Sequence, residues 1–184
     1  MCSPPQADPN LHLVFLGATH QAAFEHFYQD MLTNDPQNAE FYSPGAKDFL
    51  RYTQQLSEHH LGRNLPQGYV PCSYYWLFDG QVIYGAIRLR HRIDDPFLAN
   101  ECGHIGYDVA PSQRHRRYGT IMLSLALEKA SNLGIERVLL TASEDNVASR
   151  RVIEANGGQF DGVIYGEVFA EMLARYWIHC AVNE

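Results

Sequence analysis

The stretch from Gly103 to Ser143 constrains this chain most, because it spells a strand, a helix and a second strand in sequence. GHIGYDVA (103–110) reads as a strand, Tyr118 to Leu133 as a helix closed by Gly134, and RVLLTAS (137–143) as a buried strand. This is a βαβ unit, which requires a sheet with at least one helix packed against it. No acidic residue lies between Val109 and Leu127, yet Arg114, Arg116 and Arg117 stand just ahead of the helix start. The first amides of a helix lack intrahelical acceptors and carry the positive end of its dipole, so guanidinium groups beside them favour phosphate oxygens. Gly119 allows a ligand to approach the backbone with no Cβ in the way.

The remaining segments extend this α/β order. Leu11 to Thr19 alternates as a first strand; His20 to Leu32 and Ala46 to Leu61 carry apolar residues at helical spacing. Ser73 to Phe78 and Gln81 to Ile93, joined by Asp79-Gly80, predict a hairpin, because Asp-Gly supplies the positive φ of a tight reversal. After the loop 94–102 and the βαβ unit come a helix from Asn146 to Asn156 and strands near Gln159 to Tyr165 and Met172 to Ala181. Residues 1–10 are Pro-rich and polar and read as a flexible arm, leaving 11–184 as a single domain.

Composition narrows the partners. The 184 residues carry a net charge of −7, which argues against nucleic acid or an anionic membrane, since both call for a basic footprint. No run of 18 apolar residues and no signal-type amino terminus is present, so the expected location is cytoplasmic. Four widely spaced cysteines form no CxxC and are expected as free thiols, and nine histidines fall into no ligand spacing, so no metal is expected.

VAPSQRHRRYGTIMLSLALEKA resembles the coenzyme A motif of the GNAT acetyltransferase superfamily, Q/R-x-x-G-x-G/A, with Arg114 in the first position and Gly119 in the last. DNVASRRVIEANGG resembles that superfamily's next helix, while GHIGY, RYWI and a VP…YWL…G hairpin resemble one predicted-acetyltransferase subfamily, so the likeness covers about residues 68–180. It implies an α/β (α+β) domain with a central mixed, mostly antiparallel sheet of about seven strands, helices on both faces, and a splayed fourth and fifth strand. The implied activity is transfer of acetyl from acetyl-CoA to a primary amine of a small molecule or peptide, by direct attack. A non-catalytic acyl-CoA-binding or sensing module of the same fold is the alternative, and a homodimer stays open.

The resemblance places the co-substrate on Asp108, Val109 and Ala110, on Arg114, His115, Arg116, Arg117, Tyr118, Gly119 and Thr120, and on Asn146 and Ser149. A bulge near Asp108 is expected to free a backbone N–H for the thioester carbonyl. His104 falls where some relatives carry a catalytic Glu and is the candidate base, with Tyr107 as packing residue or proton donor. Two departures stand out: Arg117 replaces the motif's middle Gly, and Ile153 replaces a Tyr that many members use to protonate the leaving thiolate. Asn146 could serve as N-cap as well as ligand. Arg88, Arg90 and Arg92 alternate along one strand face and read as a solvated edge or partners of Asp94-Asp95.

Overall fold

A computed structural model describes residues 10–180, so the arm expected over 1–10 lies, but for Asn10, outside the described residues. Its elements are β1 (His12–Val14), α1 (Gln21–Asn34), α2 (Pro36–Ala39), α3 (Ser43–Lys47), α4 (Phe49–His60), β2 (Cys72–Phe78) and β3 (Ile83–Arg90). There follow β4 (Ile105–Val109), α5 (Tyr118–Asn132), β5 (Arg137–Ser143), α6 (Val147–Ala155), β6 (Gln159–Gly166) and β7 (Glu171–His179). Among the described residues, no helix is long and apolar enough to cross a membrane.

Side-chain capping shifted several expected boundaries. The helix read over 46–61 is two, because Asp48 is extended at φ −153° and its carboxylate accepts the Arg51 N–H at 3.0 Å, capping α4. The second strand of the hairpin starts at Ile83 rather than Gln81, since Asp79 Oδ1 accepts the N–H groups of both Gln81 and Val82 at 2.8 Å and holds them in the turn. The first strand shrinks from nine expected residues to three paired with Trp76–Phe78.

The strands form two antiparallel sheets, β1-β2-β3-β4 and β5-β7-β6. Alternation along β2 to β4 gives each face its own core. Leu77, Ile87, Leu89 and Ile105 point toward Met122, Leu123 and Ala126 of α5, while Trp76 and Ala86 point toward α1–α4. Trp76 is buried against the rings of Phe24, Phe27 and Tyr42 at centroid distances of 5.3–5.5 Å. Helices therefore cover both faces of this sheet, as the resemblance implied.

One point welds the two sheets. Gly103 has φ 65°, and a Cβ there would stand 2.5 Å from the Leu139 carbonyl oxygen, so only glycine fits this approach of the β4 entry to β5. The His104 N–H then donates to Leu139 O at 2.8 Å, and the Thr141 hydroxyl donates to Glu101 O at 2.6 Å. Beyond His104, no backbone hydrogen bond joins β4 to β5 among the described residues, and the two strands part.

Candidate active site

The register of β3 against β4 fixes what faces the opening. Arg90 N–H donates to His104 O at 2.8 Å and Ala110 N–H to Tyr84 O at 2.9 Å, and the intervening pairs run without interruption. In an antiparallel ladder, hydrogen-bonded pairs alternate, so residues 106, 108 and 110 direct their N–H groups to β3, whereas the His104 N–H is taken by Leu139 O. Ile105, Tyr107 and Val109 direct theirs toward the gap beside β5. The bulge expected near Asp108 is absent, because β3 and β4 stay in step; the outward amides belong to Tyr107 and Val109.

At the far end of β4 the chain enters the basic turn. His115 and Arg117 both adopt left-handed backbone at φ 63° and 68°. Arg117 thus takes the conformation for which a motif glycine is usual, at a cost of about 1–2 kcal/mol. It precedes α5 without any side-chain cap, leaving the amides of Tyr118, Gly119 and Thr120 unbonded by a cap residue. The Thr120 carbonyl is held by Asn156 Nδ2 at 3.2 Å, and Tyr118 packs on Tyr84 at 4.2 Å. A methyl at Gly119 would stand 3.3 Å from Val152, 3.5 Å from Val109 and 3.8 Å from Tyr107, so the bare backbone lets α5 seat on α6 and β4.

The three arginines do not act alike. Arg114 is turned away from the helix start: its Nη2 donates to Asp35 and its Nε to Val109 O at 3.2 Å, tying the turn to the α1–α2 junction. Burial works to raise the Asp35 carboxyl, but hydrogen bonds from Arg114 and Asn38 outweigh it and hold it below the usual carboxylate range. Arg116 reaches Gln113 at 3.4 Å, and both Arg116 and Arg117 are exposed. Arg116 and Arg117 are therefore the turn's guanidinium groups without a carboxylate partner among the described residues, with Arg114 bracing the loop.

His104 lies within the weld. Its Nδ1 accepts the Leu139 N–H at 3.0 Å, its edge meets the Trp177 ring, and 7% of its surface is exposed. Burial, reinforced by the positive charge of Arg90, pushes its pKa from 6.5 down to about 4. A neutral ring with one nitrogen occupied by a backbone amide is a weak proton acceptor at neutral pH. The geometry makes His104 a clasp between sheets.

On the α5 side of β4, the Tyr107 hydroxyl is 2.9 Å from Ser149 Oγ and donates to Ser149 O at 3.3 Å. Burial pushes it up to about 12 against the opposing effect of the Ser149 bond, with the Asp108 charge adding to the rise. Asn146 is the N-cap of α6, its Oδ1 accepting the Ser149 N–H at 3.0 Å. These three side chains meet where α6 begins, facing β4. Ile153 is fully buried in the core beneath them.

Asp108 points to the opposite face, and sequence reasoning missed its partners. Tyr42 O–H and Arg88 Nη2 both donate to its Oδ2, at 2.6 and 2.8 Å. Burial, then the Asp108 charge, raises the Tyr42 hydroxyl, so it remains a donor. Phe41 covers the Arg88 guanidinium at 5.3 Å. Of the alternating arginines, Arg92 does pair with Asp94 at 2.8 Å, whereas Arg90 donates to Gly103 O at 3.2 Å. No local pattern links Tyr42 to Asp108, 66 residues apart; strand alternation alone does place Arg88 and Asp108 on one face.

Comparison with known proteins agrees with this geometry. The acetyltransferase (GNAT) domain family matches residues 13–159. A ribosomal L7/L12 alpha-N-protein acetyltransferase (RimL) in complex with coenzyme A superposes with a TM-score of 0.68 at 17% identity, covering 96% of this chain and 97% of that one. The microcin C7 self-immunity acetyltransferase MccE, in complex with acetyl-CoA and AMP, gives 0.67 at 13% identity over 94% and 93%. A ribosomal-protein-S5-alanine acetyltransferase from Vibrio fischeri gives 0.62 at 15% over 95% of both chains. No curated protein sequence matches. With the family spanning most of its length, the chain belongs to the GNAT acetyltransferases.

Proposed function

We propose that acetyl-CoA binds with its pyrophosphate against the first turn of α5 and its thioester in the gap between β4 and β5, where a primary amine attacks it. The outward N–H groups of Tyr107 and Val109 carry this reading, because they are backbone donors aimed into the opening from a fixed strand. An oriented donor of this kind, facing the oxygen as it gains charge, contributes about 2.7–4 kcal/mol in comparable acyl transfers. The Tyr118–Thr120 amides and the exposed Arg116 and Arg117 supply the anion site.

The amine attacks as its free base. Its nitrogen bonds to the thioester carbon, the C–S bond breaks, and the thiolate leaves with the electron pair. The Tyr107 hydroxyl, accepting from the Ser149 hydroxyl, turns its single proton from the Ser149 carbonyl to that sulfur. With Tyr107 raised to about 12 and an ordinary thiol near about 8.5, complete proton transfer from Tyr107 is uphill, so its part is stabilisation of the thiolate. His104 holds the strand pair open at a fixed angle, and the amine sheds its proton to water.

The acceptor belongs to a small molecule or a peptide. Support for a peptide comes from structural neighbours described as acetylating ribosomal proteins. The proposal also places the reaction in the cytoplasm, in keeping with the free thiols of Cys72, Cys102 and Cys180. The test combines acetyl-CoA titration calorimetry with thiol release across a broad amine panel. Saturable binding and amine-dependent release are expected; binding without release from any amine contradicts the proposed chemistry.

A further inference from the structure

On the α1–α4 face of β4, one carboxylate has been left half satisfied. Both protein donors to Asp108, Tyr42 O–H and Arg88 Nη2, converge on Oδ2, and Oδ1 receives no donor among the described residues. Arg88 likewise spends one N–H on Asp108, while its Nε and Nη1 donate to nothing among the described residues. The side chains keep 13% and 21% of their surface exposed, enough for a small polar group to reach them. Gly106 lies directly across from Arg88 in the ladder, and a Cβ there would stand 3.6 Å from the guanidinium, so the cation rests on bare backbone with Phe41 over its face.

This pair adjoins the chemistry. Asp108 sits between Tyr107 and Val109, whose amides face the gap expected to hold the thioester. A cation held at Oδ1 is therefore one residue from the proposed oxyanion donors. The exposed side of the pair offers an unused acceptor beside unused donors, which complements an ammonium next to a carbonyl oxygen.

Resting on the function proposed above, we propose that Asp108 and Arg88 read the acceptor: Asp108 Oδ1 takes the ammonium and Arg88 takes the oxygen of the carbonyl group bonded to the α-carbon, selecting α-amines. Tyr42 is a positioning residue that locks Asp108 on its Oδ2 side. An α-amine of a peptide and that of a free amino acid share this chemistry, whereas a lysine side-chain amine or a simple alkylamine lacks the neighbouring carbonyl.

The test measures kcat and KM with four acceptors at saturating acetyl-CoA: a dipeptide amide, a free amino acid, Nα-acetyl-lysine amide and butylamine. The proteins compared are the wild type, Asp108→Asn and Arg88→Lys. Asparagine keeps the size and the acceptor for Tyr42, and lysine keeps the charge but lacks the fork. The wild type should favour the α-amines over the other two by at least about tenfold in kcat/KM, the scale of one charged hydrogen bond. Asp108→Asn should lower kcat/KM for the α-amines at least about tenfold, mainly through KM, with acetyl-CoA affinity held within about twofold. Arg88→Lys should collapse the preference for α-amines. The ratio between dipeptide amide and amino acid tells which source the site favours.

Equal use of all four amines by the wild type overturns the inference, as does an Asp108→Asn loss that is uniform across acceptors and tracks a lowered melting temperature. Failure of every amine, or failure of the wild type to bind acetyl-CoA, instead overturns the function on which it rests.

Discussion

His104→Asn separates a clasp from a base. Asparagine Oδ1 takes the place of Nδ1, so the Leu139 N–H, in a fully buried residue, keeps an acceptor that cannot titrate near neutral pH. His104→Ala instead leaves that amide unpaired, at a cost of about 1–3 kcal/mol and a loss of roughly 2–4 °C in Tm for each of those kcal/mol. The pH dependence follows from the depressed pKa. The folded protein holds His104 near 4 while the unfolded chain titrates near 6.5, so between these values the unfolded state binds the extra proton. Stability from this residue is complete above 6.5 and declines as pH falls toward 4, by about 3 kcal/mol in all. Urea unfolding of the wild type and His104→Asn, from about pH 7.5 to about pH 4.5, should therefore show a steeper acid loss in the wild type. Identical slopes would refute the clasp, and so would a well-folded Asn variant whose turnover has dropped a hundredfold or more, since that result gives His104 the base role.

Four further outcomes follow from the same geometry. Arg114→Ala and Asp35→Ala should weaken acetyl-CoA binding to a similar degree, and the double variant should lose little more, because both disrupt one brace; additive losses in calorimetry would show that Arg114 contacts the phosphates itself. Arg117→Gly should relieve left-handed strain and raise stability by up to about 1 kcal/mol, read as a higher urea midpoint. Ile153→Tyr should lower Tm, through overpacking worth about 1–3 kcal/mol, without raising kcat, since the site lies fully inside the core; a large gain in kcat would show that a missing acid limits turnover. Tyr107→Phe should lower kcat about tenfold or more and leave the amine KM nearly unchanged, and unchanged kcat would remove the hydroxyl from the mechanism.

Much of the scaffold could be read locally. The Asp79-Gly80 turn, the α5 pattern ending at Gly134 and the Asn146 cap depend on neighbours within a few residues, and the structure places each where the pattern did. The helix split at Asp48 was lost because apolar spacing continues across it, although an Asp three residues before Arg51 is a capping arrangement. Site details were not legible where distant segments decide them. Arg114 fits a phosphate-binding motif by position, but Asp35, 79 residues away, draws it off. His104 fits the position of a base, but the Leu139 amide, 35 residues on, claims its nitrogen. The expected bulge at Asp108 failed because pairing continuity between β3 and β4 is a property of two strands, which no single-strand pattern reports.

The central claim is that acetyl-CoA enters between β4 and β5 and meets the amides of Tyr107, Val109 and the first turn of α5. Amide NMR of the labelled protein during acetyl-CoA titration tests it residue by residue. The account predicts that the N–H signals of Tyr107, Val109, Tyr118, Gly119 and Thr120 shift most and exchange more slowly with solvent, while that of Asp108, bonded to β3, changes little. Saturable binding that leaves Tyr107 and Val109 unmoved, or that moves Asp108 in their place, would contradict it.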